Sequence, residues 1–127
     1  MKEVTDIPAR NATLVKKQLE NTVVVTQIDS SCFLFTTYKS DILQSSCPGN
    51  QITTDHSVLI VGYGEYVSSV TETELNTPYF IVRNSYGDDW GIGGYMYIGM
   101  DETTPNDGVL GILQAPKSIK VAQALPN

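Results

Sequence analysis

His56 is the only histidine of the chain, and it stands in "TTDHSVLIVGYG", residues 53 to 64, between a carboxylate and a run of β-branched and aliphatic residues. A single imidazole at the mouth of an apolar run is compatible with a structural residue and with a base that titrates near neutral pH. Downstream, Asn84 follows the apolar "PYFIVR" with no local reason for an amide. An asparagine oxygen can accept a proton from one imidazole nitrogen and leave the other nitrogen aimed at a nucleophile. That chemistry requires the two residues to meet.

The elements that would bring them together are legible in the spacing of apolar residues. "SVLIVGYG" is a nearly continuous apolar run and "PYFIVRNS" a second one. Between them, "EYVSSVTETELNTP" carries Glu65, Glu72 and Glu74 with Ser and Thr, which is hairpin-loop composition. If the two runs pair as an antiparallel hairpin, His56 at the start of one becomes the neighbour of Asn84 at the end of the other. "GGYMYIGM" adds a third strand with Tyr95, Tyr97 and Gly99 on one face. Glycines at 62, 64, 87, 91, 93, 94 and 99 punctuate this half too densely for long helices.

The first half reads differently. "NATLVKKQLEN" places Ala12, Val15 and Leu19 at helical spacing with Leu14 beside them, Asn11 as N-cap and Pro8 just ahead, which predicts a short amphipathic helix. "TVVVTQID" predicts a strand from about Val23 to Ile28. "SSCFLFTTYKSDIL" is mixed in period and reads as a loop or short helix, and "SIKVA" near the end as a weak strand. The expected class is α+β, mostly β: an antiparallel sheet with a short N-terminal helix, in one domain over residues 1–127.

Composition excludes several functions. Fourteen acidic against eight basic side chains give a net charge of −6, with no basic run beyond Lys16 and Lys17, so nucleic acid is not an expected partner. No stretch approaches the roughly 18 apolar residues of a membrane helix, and "MKEVTDIPARN" lacks the apolar core of a signal peptide. The protein is then either cytoplasmic or a mature piece of something longer. Cys32 and Cys47 are too few for a disulfide scaffold and lack zinc spacing, so no metal or other cofactor is expected. They are either two buried thiols or a disulfide pair. Cys32 stands far from any helix start that the sequence defines, which makes it a poor nucleophile. "NAT" at residues 11 to 13 is a glycosylation sequon, relevant if the chain is secreted.

"DHSVLIVGYG", "PYFIVRNSYGDDWGIGGYMYI" and "GVLGI" resemble the second half of papain-like cysteine proteases, the cathepsin family. There the pattern runs (D/N)-H-(A/G)-V-x-x-V-G-Y-G, then Y-W-x-(V/I)-(K/R)-N-S-W-G-x-x-W-G-x-x-G-Y, then G-x-C-G-I. "LVKKQLENTVVVTQID" and "FTTYKSDIL" are similar to the segments that precede the family's histidine. The resemblance implies a two-domain fold, with a helical left domain bearing a cysteine and an antiparallel, barrel-like right domain bearing histidine and asparagine. This chain is similar to the right domain.

The same resemblance assigns His56 as the catalytic histidine and Asn84 as its orienting residue. Trp90 matches the second tryptophan of the N-S-W-G-x-x-W-G motif, and Tyr86 stands where the first is expected, so shielding of the histidine–asparagine bond would be weaker. The substrate pocket would be lined on this half by Val25, Thr54, Ser57 and Ala115, with the backbone of Asp55 facing the substrate. Each also has an ordinary reading, as packing for Val25 and Ala115 and as strand-capping or strand-opening polar residues for the others. Neither cysteine stands in the family's C-G-S-C-W context, and Leu110 occupies the position of the G-x-C-G cysteine, so the family's bridge from near Cys47 is lost. Two readings follow. One is the histidine/asparagine half of a cysteine peptidase whose partner is a cysteine-bearing half, acting on peptide or protein substrates in a lysosomal, vacuolar or secreted setting. The other is a right-domain remnant that serves as a binding module.

Overall fold

The computed structural model describes residues 2–44, 53–68, 75–100 and 107–121. Among the described residues seven strands form one sheet in the order β1-β7-β2-β4-β5-β6-β3: β1 (Lys2–Asp6), β2 (Val23–Ile28), β3 (Ile42–Leu43), β4 (His56–Ser68), β5 (Leu75–Arg83), β6 (Tyr95–Gly99) and β7 (Lys117–Val121). Two helices accompany them, α1 (Ala12–Leu19) and the single turn α2 (Phe33–Thr36). The mostly-β class and the short N-terminal helix are as expected. Every pairing is antiparallel except that of β3 with β6, which is parallel. Among the described residues the sheet order is open, with β1 and β3 as its two edges.

Local chemistry accounts for the elements. Asn11 has extended backbone angles and its side-chain oxygen accepts the Leu14 N–H at 3.1 Å, satisfying one of the donors left open at the start of α1. Lys16 and Lys17 lie in the last turn, where the helix dipole favours cations. Ala12 and Val15 are the face that α1 buries. In β2 the residues alternate, with Val24, Thr26 and Ile28 in the core. Thr26 is tolerated there because its hydroxyl donates to the Ile112 carbonyl at 2.7 Å.

β4 and β5 form the predicted hairpin. Ile60 pairs with Val82 but Gly62 with Ile81, so β4 carries one extra residue at Val61 and bends there. Val58, Ile60, Phe80, Val82, Met96 and Ile98 share the core with Val24 and Ile28. Tyr95 and Tyr97 face away from it, which is the face the sequence assigns them. Leu110, in the 3₁₀ turn at Val109–Gly111, is wholly buried with φ +57. That left-handed conformation costs a non-glycine residue about 1–2 kcal/mol. Its carbonyl accepts the Asp29 N–H at 2.9 Å, tying the turn to the end of β2. No helix among the described residues is long and apolar enough to cross a membrane.

Candidate active site

The β4/β5 register delivers the two residues singled out above. Leu59 pairs with Arg83, so His56, three residues before Leu59, and Asn84, directly after Arg83, emerge at the same end of the hairpin. Asn84 is fixed further by its N–H, which donates to the Gly94 carbonyl at 3.1 Å. His56 Nε2 lies 2.8 Å from Asn84 Oδ1, a normal hydrogen-bond distance.

The same oxygen accepts the Ser85 backbone N–H at 2.7 Å. A backbone N–H can only donate, so the side-chain atom facing it must be the amide oxygen, and that oxygen can only accept from the ring. Nε2 therefore carries the proton and Nδ1 of the neutral imidazole is the acceptor. Asn84 is only 3% exposed, and its Nδ2 has no partner among the described residues.

Aromatic rings enclose the pair. Tyr86 stands 5.0 Å from the imidazole centroid, tilted by 34°, and Phe35 stands 5.7 Å away. Trp90 sits behind these two, 5.1 Å from Phe35 and perpendicular to Tyr86 at 5.9 Å. Among the described residues Phe35 and Tyr86, not Trp90, are the rings that meet His56. Phe35 is fully buried, whereas Tyr86 is 48% exposed. Phe35 was not singled out in the sequence because its segment has no clear period, although "FLF" is an apolar signal.

Asp55 ties the strand entry to the preceding loop. Its Oδ1 accepts the Ser30 N–H at 3.0 Å and the Ser30 hydroxyl at 2.8 Å. The Ser30 backbone donor, then its hydroxyl, then Asp55's own backbone N–H and last the charge of the neighbouring His56 hold the Asp55 carboxyl below its usual range, against a smaller opposing effect of burial. The Asp55 N–H donates to the Ile28 carbonyl at 3.0 Å. Behind it, buried Asp29 accepts the Ser31 N–H and hydroxyl.

The other predicted pocket residues divide. The Thr54 hydroxyl donates to Gln114 Oε1 at 3.0 Å, which brings Thr54 beside the segment carrying exposed Ala115. Ser57 pairs with Gln27, and Val25 lies two residues along, opposite Leu59. Strand alternation sets these side chains on the face opposite to that of His56, Val58 and Ile60. Gln27, directly across from Ser57, was missed because pairing register is not visible in one strand's sequence.

Cys32 departs from its expectation. It is the N-cap residue of α2, so it does stand at a helix start, because residues 33–36 complete one turn. It is also buried and disulfide-bonded, which removes the free-thiol reading for this residue. Cys47 lies outside the described residues.

The family model for papain family cysteine proteases matches residues 1–115. The chain is 34% identical over 107 residues to germination-specific cysteine protease 1 of Arabidopsis thaliana, covering 84% of this chain and 26% of that protein. It is 38% identical over 97 residues to procathepsin L of Felis catus, covering 76% of this chain and 27% of that protein. The structure of the bromelain protease from Ananas comosus superposes with a TM-score of 0.76 at 24% identity, covering 94% of this chain and 50% of the other, which shows the shared fold. The chain spans about a quarter of the length of these curated relatives. It belongs to the papain family of cysteine proteases.

Proposed function

We propose that this chain, residues 1–127, is the right-hand domain of a cysteine peptidase and supplies the histidine/asparagine half of its active site. The observation that carries the reading is the bond from His56 Nε2–H to Asn84 Oδ1 at 2.8 Å, with Ser85 fixing the amide. The imidazole is thereby oriented, and its Nδ1 is free to take a proton from a thiol supplied by a cysteine-bearing half. The resulting thiolate attacks the peptide carbonyl, and the imidazolium returns the proton to the leaving amine. Asn84 stays neutral and holds the ring. Val25, Thr54, Asp55, Ser57 and Ala115 are the proposed substrate-side residues, and Tyr86 and Trp90 are the aromatic wall. A disulfide at Cys32 favours an oxidising compartment, as in a vacuolar or secreted setting.

A second reading is a non-catalytic binding module. Two observations favour it: Cys32 is oxidised and so offers no thiolate, and half-exposed Tyr86 replaces the expected tryptophan. The experiment is reconstitution with a cysteine-bearing papain-type half and a peptide substrate. The expected result is no turnover by the chain alone and turnover with the partner half that is lost in His56→Ala. A reconstituted complex that binds peptide but does not cleave it would favour the binding module. Turnover unaffected by His56→Ala would overturn the peptidase reading.

A further inference from the structure

At the end of the hairpin remote from His56 the outer face of the sheet carries three tyrosines. Tyr79 pairs with Gly64, eight residues along β4 from His56, which is about 25 Å at the usual strand rise. Tyr66, Tyr79 and Tyr97 line a groove of about 500 Å³ whose remaining polar groups include Asp41, Gln44 and Thr77.

The groove is built by close packing. A Cβ on Gly64 would lie 2.7 Å from the Tyr79 hydroxyl, so the ring occupies space over β4 that only glycine leaves open. Tyr79 and Tyr97 pack at 4.8 Å between centroids. The Tyr38 hydroxyl accepts the Tyr97 N–H and donates to the Asp41 carbonyl, fixing the Asp41 turn beside Tyr97.

Charge distinguishes this cluster from Tyr63 and Tyr95 on the same hairpin and its neighbouring strand. Lys16 sits over Tyr63 at 5.6 Å and Arg83 over Tyr95 at 4.8 Å, so those rings hold cations of the protein itself. None of Tyr66, Tyr79 and Tyr97 has such a partner among the described residues, and Asp41 has no ion pair there either. Aromatic faces grouped with a carboxylate attract a cation by ring quadrupole and by charge. The net charge of −6 works in the same direction.

We propose that this groove binds a lysine or arginine side chain of a polypeptide partner, at a site separate from the His56–Asn84 pair. The volume falls within the usual range of ligand sites and accommodates one long cationic side chain with its flanking backbone. Tyr66, 59% exposed, forms the outer wall, while Asp41 neutralises the cation.

The test titrates the intact chain with short blocked peptides that carry lysine, arginine or norleucine at the centre, up to about 10 mM, ten times the dissociation constant of a millimolar site. Tyrosine ring resonances report binding. The expected result is saturable shifts of the Tyr66, Tyr79 and Tyr97 signals with the lysine and arginine peptides only. Asp41→Asn and Tyr66→Ala should each weaken binding about two- to fivefold. Both positions are exposed, and an unchanged His56 ring signal checks that each variant is folded. Equal shifts from the norleucine peptide would overturn the cation assignment. Absence of any saturable shift with the lysine and arginine peptides would overturn the site.

Discussion

Truncating Phe35 isolates what the aromatic wall contributes to the His56–Asn84 pair. Phe35 is fully buried and meets three rings: His56 at 5.7 Å, Tyr86 at 5.8 Å and Trp90 at 5.1 Å. Phe35→Ala removes the whole ring and leaves a cavity, at a cost of about 3–5 kcal/mol. The upper half of that range is expected, since aromatic pairs add roughly 0.5–1.5 kcal/mol beyond area burial. Phe35→Leu keeps most of the volume and should cost under about 1.5 kcal/mol. Urea unfolding followed by the fluorescence of Trp90, the only tryptophan, measures both variants. With a slope of about 1.5 kcal/mol/M, the alanine variant should lose roughly 2.7–3.3 M of midpoint at unchanged slope. The His56 ring N–H gives a second readout: it should exchange faster with water in Phe35→Ala than in the parent, with Phe35→Leu between. If Phe35→Ala lies within about 1 kcal/mol of the parent and leaves ring N–H exchange unchanged, Phe35 does not shield the pair and the reasoning fails.

Asn84→Ala removes the acceptor of two N–H groups, from His56 and Ser85, at a cost of about 1–3 kcal/mol. The loss should fall at the lower end, because the same change deletes the buried and unpartnered Nδ2. Nitrogen NMR of the ring should show a neutral imidazole less biased toward the Nε2–H tautomer, by about 2- to 13-fold for a bond of 0.5–1.5 kcal/mol. Asp55 titrates below its usual range when folded, so its contribution is present above the unfolded carboxylate value and disappears as pH falls through the lowered one. Melting temperatures of Asp55→Asn and parent should therefore differ most at neutral pH and converge in acid, and a gap that persists to the lowest pH would refute the linkage.

The periodic elements were legible because burial on one face leaves a mark on sequence. β2 alternates, β4 and β5 are apolar runs around a polar loop, and α1 spaces Ala12 and Val15 behind a capping asparagine. The His56–Asn84 contact followed from the hairpin alone, because two strand ends that pair must be neighbours. What was not legible depends on distant partners. β1 is a polar pentapeptide, and its strand state comes from five pairings with β7 more than 110 residues away. β3 has two residues and exists as a parallel companion to β6. Phe35 gains its place from α2, a single turn too short for helical periodicity to appear. The position of Gln27 opposite Ser57 is a register fact, and register is set by the whole sheet rather than by either strand.

Among the described residues, the groups that orient His56 come from different parts of the chain. Asn84 arrives at the end of β5 and is pinned to Gly94. Tyr86 follows from the turn after it. Phe35 comes from α2, where the carbonyl of the disulfide-bonded Cys32 accepts the Phe35 and Thr36 N–H groups. The strand entry itself is held by Asp55 to Ser30 and Ile28. In the proposed peptidase, a ring held from several directions would lose little freedom as a thiol approached Nδ1, so the cost of orienting it would be met in folding rather than in reaction. The same independence makes the half-site compatible with both proposed roles. A thiol that reaches Nδ1 in the reconstituted complex would make the ring the base of a peptidase, and a complex that binds peptide while Nδ1 stays without a thiol would make the same pair part of a binding module.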